Sequence, residues 1–252
     1  LGDHFGVGHI FLAGEAPGLF YGYVTQGIVQ KEDITENGIK YIKQDGSVGY
    51  YQTVNKTTPV AGDVKYVDRN GDGVVDDNDR DIIGNPNPDF TYGFQTKVSW
   101  KSLSLSASFN GVQGRDILNV GNRYNNTPGT KSNNVTRKAF QNMWTDENPS
   151  NLYPKSTFVV QNMVMDRYVE DGSYLRCSDI TLSYVLPAKW TNKIGIKNTS
   201  VYASVKNAFV ITDYSGYDPE VNSFAFDGLR PGVDMNSYPT PRSFVFGLNL
   251  TF

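Results

Sequence analysis

The last eleven residues of the chain, Arg242-Ser243-Phe244-Val245-Phe246-Gly247-Leu248-Asn249-Leu250-Thr251-Phe252, have the pattern of one long β-strand. The even-numbered positions from Phe244 to Phe252 are all large and apolar, and the odd-numbered ones between them are mixed, small or polar. Because successive side chains of a strand point to opposite faces, this pattern predicts one continuous apolar face. A strand of about ten residues can cross a bilayer at a tilt. The stretch therefore predicts a transmembrane β-barrel.

The composition is compatible with such a barrel. Only 38% of the 252 residues are hydrophobic, and no run approaches the roughly 18 apolar residues of a membrane-spanning helix. Half of each barrel strand faces a polar lumen, so a soluble-looking average is expected. The net charge of -3 gives no basic surface and argues against nucleic acid as a partner. Since the chain begins at Leu1 without a signal sequence, we expect a mature chain or a fragment.

Other runs show the same alternation. Residues 90–100 and 103–112 are separated only by Lys101-Ser102, which predicts a tight hairpin. Two more strands are predicted at 175–186 and 201–210. We expect these four and the terminal strand to be antiparallel neighbours in chain order, and residues 20–26 to be the end of a sixth strand.

The connections between these strands alternate in length. Those at about 27–89, 113–174 and 211–242 are long, whereas 101–102 and 187–199 are short. In an up-and-down meander this alternation places all long loops on one rim, as in bacterial outer-membrane barrels with their long external loops. The whole chain is therefore predicted to be all-β, a segment of an antiparallel up-and-down transmembrane barrel with three long external loops.

One acidic segment, residues 68–79, has the spacing of a twelve-residue calcium loop. Oxygen donors occupy positions 1, 3, 5, 9 and 12, the position-7 carbonyl is the further ligand, and Gly73 stands at the sharp turn of position 6. Calcium prefers six to eight hard oxygen ligands, and carboxylates packed together without a cation repel one another. The predicted ligands are Asp68, Asn70, Asp72, Val74 through its carbonyl, Asp76 and Asp79.

A second interpretation of this segment remains open. Position 12 is Asp79, which is shorter than the usual bidentate Glu, and the flanking residues are not helical in pattern. An acidic, glycine-rich turn can instead satisfy its own backbone through Asp and Asn side chains. If calcium binds, we expect it to clamp the loop structurally.

Catalytic motifs are absent from the sequence. The two histidines, His4 and His9, lie near the start of the chain, and neither a Gly-x-Ser-x-Gly nor a phosphate-binding loop occurs. A single cysteine, Cys177, excludes an internal disulfide and a cysteine-based zinc site. We therefore predict that the chain is not an enzyme.

Several segments together resemble the C-terminal part of SusC/RagA-type TonB-dependent transporters of the Bacteroidetes outer membrane. They occur in the same order over nearly the whole chain. These segments are Leu19–Tyr23, Gly27–Gln30, Gly62–Tyr66, Asp79–Arg80, Ile82–Phe90, Gly93–Phe94, Gly114–Ile117, Asp171–Arg176, Ile180–Leu182, Asn207, Thr212–Glu220 and Tyr238–Pro239 leading to Arg242. Ala61, Cys177 and Val245 depart from what is usual in the family.

The resemblance implies a function and partners. Such transporters work with TonB and a SusD-like surface lipoprotein to import an oligosaccharide or peptide across the outer membrane. They also have an N-terminal plug domain and a TonB box, and nothing in this chain resembles either. The resemblance thus implies the final part of a large barrel, in contact with outer-membrane lipid, whose external loops meet the lipoprotein and the cargo.

An alternative from another class is a secreted, calcium-stabilised β-sandwich that binds glycans or mediates adhesion. It accounts for the acidic loop and the many aromatic residues. It does not account for strands of about ten residues or for the sorting of connections by length.

Overall fold

The computed structural model describes residues 8–127, 134–156, 163–191, 196 and 198–251. His4 and Phe252, which entered the sequence predictions, lie outside the described residues. Within the described part, the helices are short, and none is long and apolar enough to span a membrane.

Strands make up most of the regular structure along the chain. The strands are β1 His9–Ile10, β2 Leu19–Tyr23, β3 Thr25–Ile28, β4 Ile34–Thr35, β5 Gly38–Ile42, β6 Val48–Tyr51, β7 Thr53–Val54, β8 Val64–Tyr66, β9 Val74–Val75, β10 Arg80–Gly84, β11 Phe90–Trp100, β12 Leu103–Gln113, β13 Asp116–Asn119, β14 Val169–Asp171, β15 Tyr174–Val185, β16 Asn198–Thr212, β17 Val233–Asp234 and β18 Ser243–Thr251. The α-helices are α1 Val120–Asn126, α2 Arg137–Asn142 and α3 Ala188–Thr191, and 3-10 turns occur at Lys31–Asp33, Asp77–Asp79 and Asp166–Tyr168.

The chain divides into two compact units. One, which we call the strand unit, comprises Pro88–Arg115, Asp171–Glu220 and Tyr238–Phe252. The other, the loop unit, comprises Leu1–Asn87, Asp116–Glu170 and Val221–Ser237. Apart from the first 26 residues, all residues of the loop unit belong to the three connections that the sequence predicted to be long.

The strand unit is built on one five-stranded antiparallel sheet in the order β11-β12-β15-β16-β18. Every neighbour in this sheet is also the next long strand along the chain, so the predicted up-and-down meander is confirmed. The predicted hairpin is also confirmed, since Trp100 pairs with Leu103 across a two-residue turn. Lys101 has a φ of 54°, the left-handed conformation that two-residue hairpin turns require.

The register of this sheet contains two irregularities that the alternation pattern did not predict. In the β12–β15 pair, Ser108 pairs with Asp179 and Phe109 with Cys177, so Ser178 of β15 is the extra residue. In the β15–β16 pair, the shift lies at the same level, between the Cys177–Phe209 and Asp179–Lys206 pairs. Residues on either side of a β-bulge keep their pairing, but the strand bends and twists more strongly at that level. Both irregularities lie at Ser178 on the central strand of the sheet, where a barrel wall must curve.

The prediction that residues 20–26 are the end of a sixth strand of this sheet is wrong. The segment forms two strands, of which β2 pairs with β1 and β10 while β3 pairs with β8. The local alternation identified a strand correctly, but its partners lie within the loop unit.

The loop unit has a hydrophobic core of its own. Small sheets surround it, among them β4-β5-β6 and the pair β3-β8. The core is rich in buried tyrosines, whose rings provide apolar surface while their hydroxyls seek polar partners. The core residues are Phe20, Tyr23, Val29, Ile39, Tyr41, Tyr51, Val54, Tyr66, Val75, Leu118, Val120, Met163, Val164, Met165, Tyr168, Phe224 and Val233.

Candidate functional site

The acidic segment 68–79 forms a closed loop in the loop unit. It contains the short strand β9, which pairs in parallel with β7, and ends in the 3-10 turn Asp77–Asp79. Gly71 and Gly73 have φ values of 76° and 88°. Glycine adopts this left-handed conformation without the steric cost that other residues incur, so the loop turns where the sequence places its glycines.

The two carboxylates at the ends of the loop are buried and bind backbone N–H groups. Asp68 is 2% exposed, and its two carboxylate oxygens accept from the N–H groups of Gly71 (2.7 Å) and Gly73 (2.8 Å). Asp79 is 0% exposed, and one oxygen accepts from Arg69 (2.8 Å) and Asn70 (3.2 Å). Its other oxygen accepts from the Asp76 N–H at 2.8 Å. Asp68 and Asp79 therefore fix the path of the whole loop.

The three remaining side-chain ligands each accept a hydrogen bond from the N–H of the residue two positions further along the chain. Asn70 accepts from the N–H of Asp72, Asp72 from that of Val74, and Asp76 from that of Asn78, at 2.8 to 2.9 Å. These are the bonds of the self-satisfied turn that the sequence left open as an alternative. No group of three or more His, Cys, Asp and Glu in the described part of the chain is arranged to hold a metal ion. Calcium binding stays a prediction.

The electrostatics of the loop are nevertheless unusual. Burial is the largest cause that raises the pKa of Asp68, and the nearby charges of Asp79 and Asp72 raise it further. The hydrogen bonds from the N–H groups of Gly73 and Gly71 act in the opposite direction. Burial, together with Asp68 and Asp79, also raises the pKa of Tyr41 to about 12. Among the described residues no ion pair involves Asp68 or Asp79. The buried charges of Asp68 and Asp79 are therefore offset by backbone N–H groups and not by an ion pair within the described part of the chain.

Contacts with the core hold this loop in position. The Tyr41 hydroxyl donates to the backbone oxygen of Asp68 at 2.6 Å, and the Tyr23 hydroxyl donates to Asp77 at 3.0 Å. Arg69 pairs with Asp81 on β10 at 2.7 Å. A change in the loop would thus be transmitted to the buried tyrosines of the loop unit.

A second polar cluster lies in the strand unit, and the sequence analysis did not predict it. Its centre is an ion pair between Arg176 on β15 and Asp218, 2.5 Å apart, with both side chains buried. Arg176 Nε also lies 3.0 Å from Glu220, which accepts hydrogen bonds from Tyr174 (2.6 Å) and Asn110 (3.1 Å). The cluster thus joins the start of the third long connection to strands β12 and β15.

The same cluster holds both limbs of the third connection. Asp218 accepts from the N–H of Glu220 on its own limb and from the N–H of Thr240 on the returning limb, both at 3.0 Å. Arg115 donates to the carbonyl of Pro219. Burial alone would raise the pKa of Asp218, but these backbone bonds and the Arg176 charge lower it. We call the cluster of Arg115, Tyr174, Arg176, Asp218, Glu220 and Thr240 the loop clasp.

The sequence offered only one signal for the clasp. Arg176 is a charged residue inside a predicted strand, and such a residue needs a partner when it is buried. Its partners lie 42 and 44 positions later in the chain (218 − 176 and 220 − 176), so no local pattern could identify them.

Curated relatives with similar sequences are TonB-dependent receptors. The chain is 35% identical to TonB-dependent receptor P26 of Formosa agariphila over 77% of its own length, and 33% identical to receptor P3 of that organism over 96%. It is 34% identical to TonB-dependent receptor SusC of Bacteroides thetaiotaomicron over 74% of its length. The chain spans 20%, 23% and 17% of these relatives, respectively. No family model matches it.

Solved structures with a similar fold agree with these relatives. The RagAB peptide importer in its open-open state matches all of this chain with a TM-score of 0.65 and 25% identity, over 25% of the length of that chain. The closed-closed state matches 94% of it with a TM-score of 0.64. The chain belongs to the SusC/RagA type of TonB-dependent transporters.

Membership of this family confirms two predictions. The fold is an all-β barrel portion, and its location is the bacterial outer membrane. The alternative of a secreted β-sandwich is wrong, because the long strands form one continuous meander that matches the barrel of these transporters.

Proposed function

We propose that the intact SusC/RagA-type protein imports an oligosaccharide or peptide nutrient across the outer membrane in a TonB-dependent way. The observation that carries this proposal is the five-stranded meander with its long connections. The match to the RagAB peptide importer covers both, because it extends over the full chain. In this role the strand unit is part of the barrel wall, and its apolar face contacts lipid.

The three long connections are the external part of the transporter in this proposal. They have a core of their own, which gives them a defined surface for binding. That surface would meet a SusD-like lipoprotein and the cargo, while TonB would act through a plug region elsewhere in the protein. This portion of the chain performs no covalent chemistry in the proposed cycle.

We further infer that the acidic loop binds one calcium ion through Asp68, Asn70, Asp72, the Val74 carbonyl, Asp76 and Asp79. The support is the donor set in the spacing that calcium loops use and the burial of two carboxylates without a cationic side chain. Binding would require the exposed Asn70 and Asp72 side chains to turn their oxygens from the backbone N–H groups toward the ion. The ion would stiffen the connection 27–89.

Growth and uptake by the native organism test the import proposal. A strain lacking the gene should lose growth on one class of nutrient, either purified oligosaccharides or protein digests, and regain it with the intact gene. Depletion of TonB should cause the same defect, and a SusD-like lipoprotein should copurify with the tagged transporter. Unimpaired growth of the deletion strain on both nutrient classes would contradict nutrient import.

A further inference from the structure

The two short connections of the strand unit are basic, although the chain as a whole is acidic. Residues 101–102 and 187–199 contain four lysines and no acidic residue. The connections at the opposite ends of the strands, 27–89, 113–174 and 211–242, contain 23 acidic and 16 basic residues, which gives a net charge of −7. Surface charge of one sign attracts partners of the other sign, so the short connections favour an anionic partner.

The two short connections lie side by side at one end of the five-stranded sheet. Strands β12 and β15 are neighbours, and the carbonyl of Ser102 accepts from the N–H of Val185 at 2.9 Å. The second connection then enters α3, which carries Lys189. Lys101 and Lys189 therefore stand on adjacent turns at the same end of the sheet.

The apolar face of the sheet extends to this end. Val98 and Trp100 lie on the apolar face of β11 and are 65% and 69% exposed. Trp190 of α3 is 58% exposed. Exposed tryptophans at the ends of barrel strands are typical of the level where the hydrocarbon of the bilayer meets the lipid headgroups. The two turns therefore lie at the depth of the lipid phosphates.

The ammonium groups of the two lysines are available at this depth. Lys101 Nζ lies 4.8 Å from the centroid of the Trp100 ring, so its charge is held beside an interfacial side chain. Lys101 and Lys189 are exposed, and within the described residues neither forms an ion pair. A lysine carries three N–H donors on a flexible stem, which can lie along apolar surface while the charge extends into the headgroups.

A phospholipid bilayer fits all of these features at once. It presents phosphate charges in one plane, so lysines on separate turns need no fixed spacing between them, and its hydrocarbon covers the apolar face. A free phosphate ion would need several donors that converge on one point, whereas each turn supplies a single described lysine. A soluble acidic protein would bind the lysines but leave Trp100 and Trp190 without a partner.

We propose that Lys101 and Lys189 bind the headgroup phosphates of anionic phospholipids in the leaflet around the short connections, which is the periplasmic leaflet in the proposed topology. The two lysines enrich anionic lipid around this part of the barrel and fix its depth in the membrane. The proposal rests on the membrane position of the barrel in the proposed function, and it gives these lysines no role in import itself.

The test uses the intact transporter, in which one exposed cysteine, Ser102→Cys, carries a fluorophore beside the two lysines. The protein is reconstituted in phosphatidylcholine vesicles that contain spin-labelled phosphatidylglycerol or, in a parallel sample, the same mole fraction of spin-labelled phosphatidylcholine. The ratio of the two quenching efficiencies measures the local enrichment of the anionic lipid. We expect at least about fourfold enrichment, and Lys101→Gln and Lys189→Gln should each lower it about two- to fivefold, the effect of one lysine near an anionic surface.

Lys206→Gln is the matched control, because it removes the same charge from the same unit. Lys206 pairs with Asp179 and lies about 26 Å along β16 from Asn198, well beyond the screening length of about 10 Å. The control should change the enrichment less than about 1.5-fold. Raising NaCl from about 0.1 M to about 1 M should remove most of the enrichment, because it shortens the screening length to about 3 Å.

Three results would overturn the proposal. Equal quenching by the two lipids in the protein with both lysines would leave an acidic protein as the partner. Unchanged enrichment in the Lys101→Gln/Lys189→Gln double variant would assign the lipid to other residues. Loss of the enrichment with millimolar inorganic phosphate at constant ionic strength would identify a site for a free anion. Growth on the nutrient tests import separately, because both lysine variants should grow like the unmodified strain.

Discussion

Replacing Asp79 by Ala should open the acidic loop while leaving the barrel strands folded. Asp79 is completely buried and accepts hydrogen bonds from the N–H groups of Arg69, Asn70 and Asp76. A hydrogen bond to a charged group contributes about 1.5–3 kcal/mol. Arg69 and Asn70 are exposed and can bind water instead, so the loss comes mainly from the Asp76 N–H, which is left without its acceptor.

The expected loss of local stability is therefore about 3 kcal/mol, which corresponds to roughly a hundredfold faster amide exchange. The assay is hydrogen exchange of the intact transporter, read at the amides of residues 69–76 in the presence of a chelator. Asn78→Ala is the matched control, because Asn78 is exposed and its side chain makes no hydrogen bond among the described residues. Its exchange rates should equal those of the unmodified protein.

The same hydrogen-exchange assay, repeated with calcium in place of the chelator, tests calcium binding. If the loop binds calcium, a concentration of 100 times the Kd should add about 2.7 kcal/mol of protection in the unmodified protein. Asp79→Ala lacks the position-12 ligand and should gain little. Unchanged protection in Asp79→Ala under chelator would refute the hydrogen-bond reasoning. Equal protection of the unmodified protein with chelator and with millimolar calcium would refute the calcium proposal.

Three further predictions concern the strand unit. Arg176→Met should lower the free energy of unfolding by about 3–5 kcal/mol, because it leaves the buried Asp218 carboxylate without its cation. Lys206→Met, whose pair with Asp179 is more exposed, is the control and should lower it by at most about 1 kcal/mol. Thermal unfolding in detergent measures both. Gly111→Ala should destabilise the barrel because its Cβ would lie 2.6 Å from the Tyr174 carbonyl, and Gly93→Ala, with 3.4 Å to its nearest neighbour, is the control. The 252-residue chain expressed alone should aggregate, because β11 and β18 each have one edge that pairs with no strand in the described part of the chain. A monodisperse monomer in plain buffer would contradict this.

The sheet could be predicted from sequence because its information is local. Alternation between apolar and polar residues identifies each strand, and the two-residue turn at Lys101-Ser102 fixes one pairing directly. Chain order then fixes the remaining pairings in a meander. The bulge between Cys177 and Asp179 was missed, because it shifts the alternation by one residue and the prediction assumed one unbroken alternation over 175–186.

The error at residues 20–26 shows the limit of local information. Leu19–Tyr23 is a strand, as the pattern indicated, but it pairs with His9–Ile10 and Arg80–Gly84. A strand pattern does not specify its partner. Its position before the first barrel strand suggested the barrel, whereas its contacts place it in the loop unit.

The loop clasp and the core of the loop unit both offset the entropy cost of ordering long connections. A connection of about sixty residues could not keep one conformation without burying apolar surface, because ordering each residue costs about 1–2 kcal/mol of backbone entropy. Three connections meet that cost jointly by sharing one core, which includes Tyr41 and Tyr51 from the first, Val120 from the second and Phe224 from the third. The third connection must also begin and end at adjacent strands, and the Asp218 bonds to Arg176 and Thr240 hold those ends together. The long connections are thus ordered by buried apolar surface, and the third is also held at its two ends by the clasp.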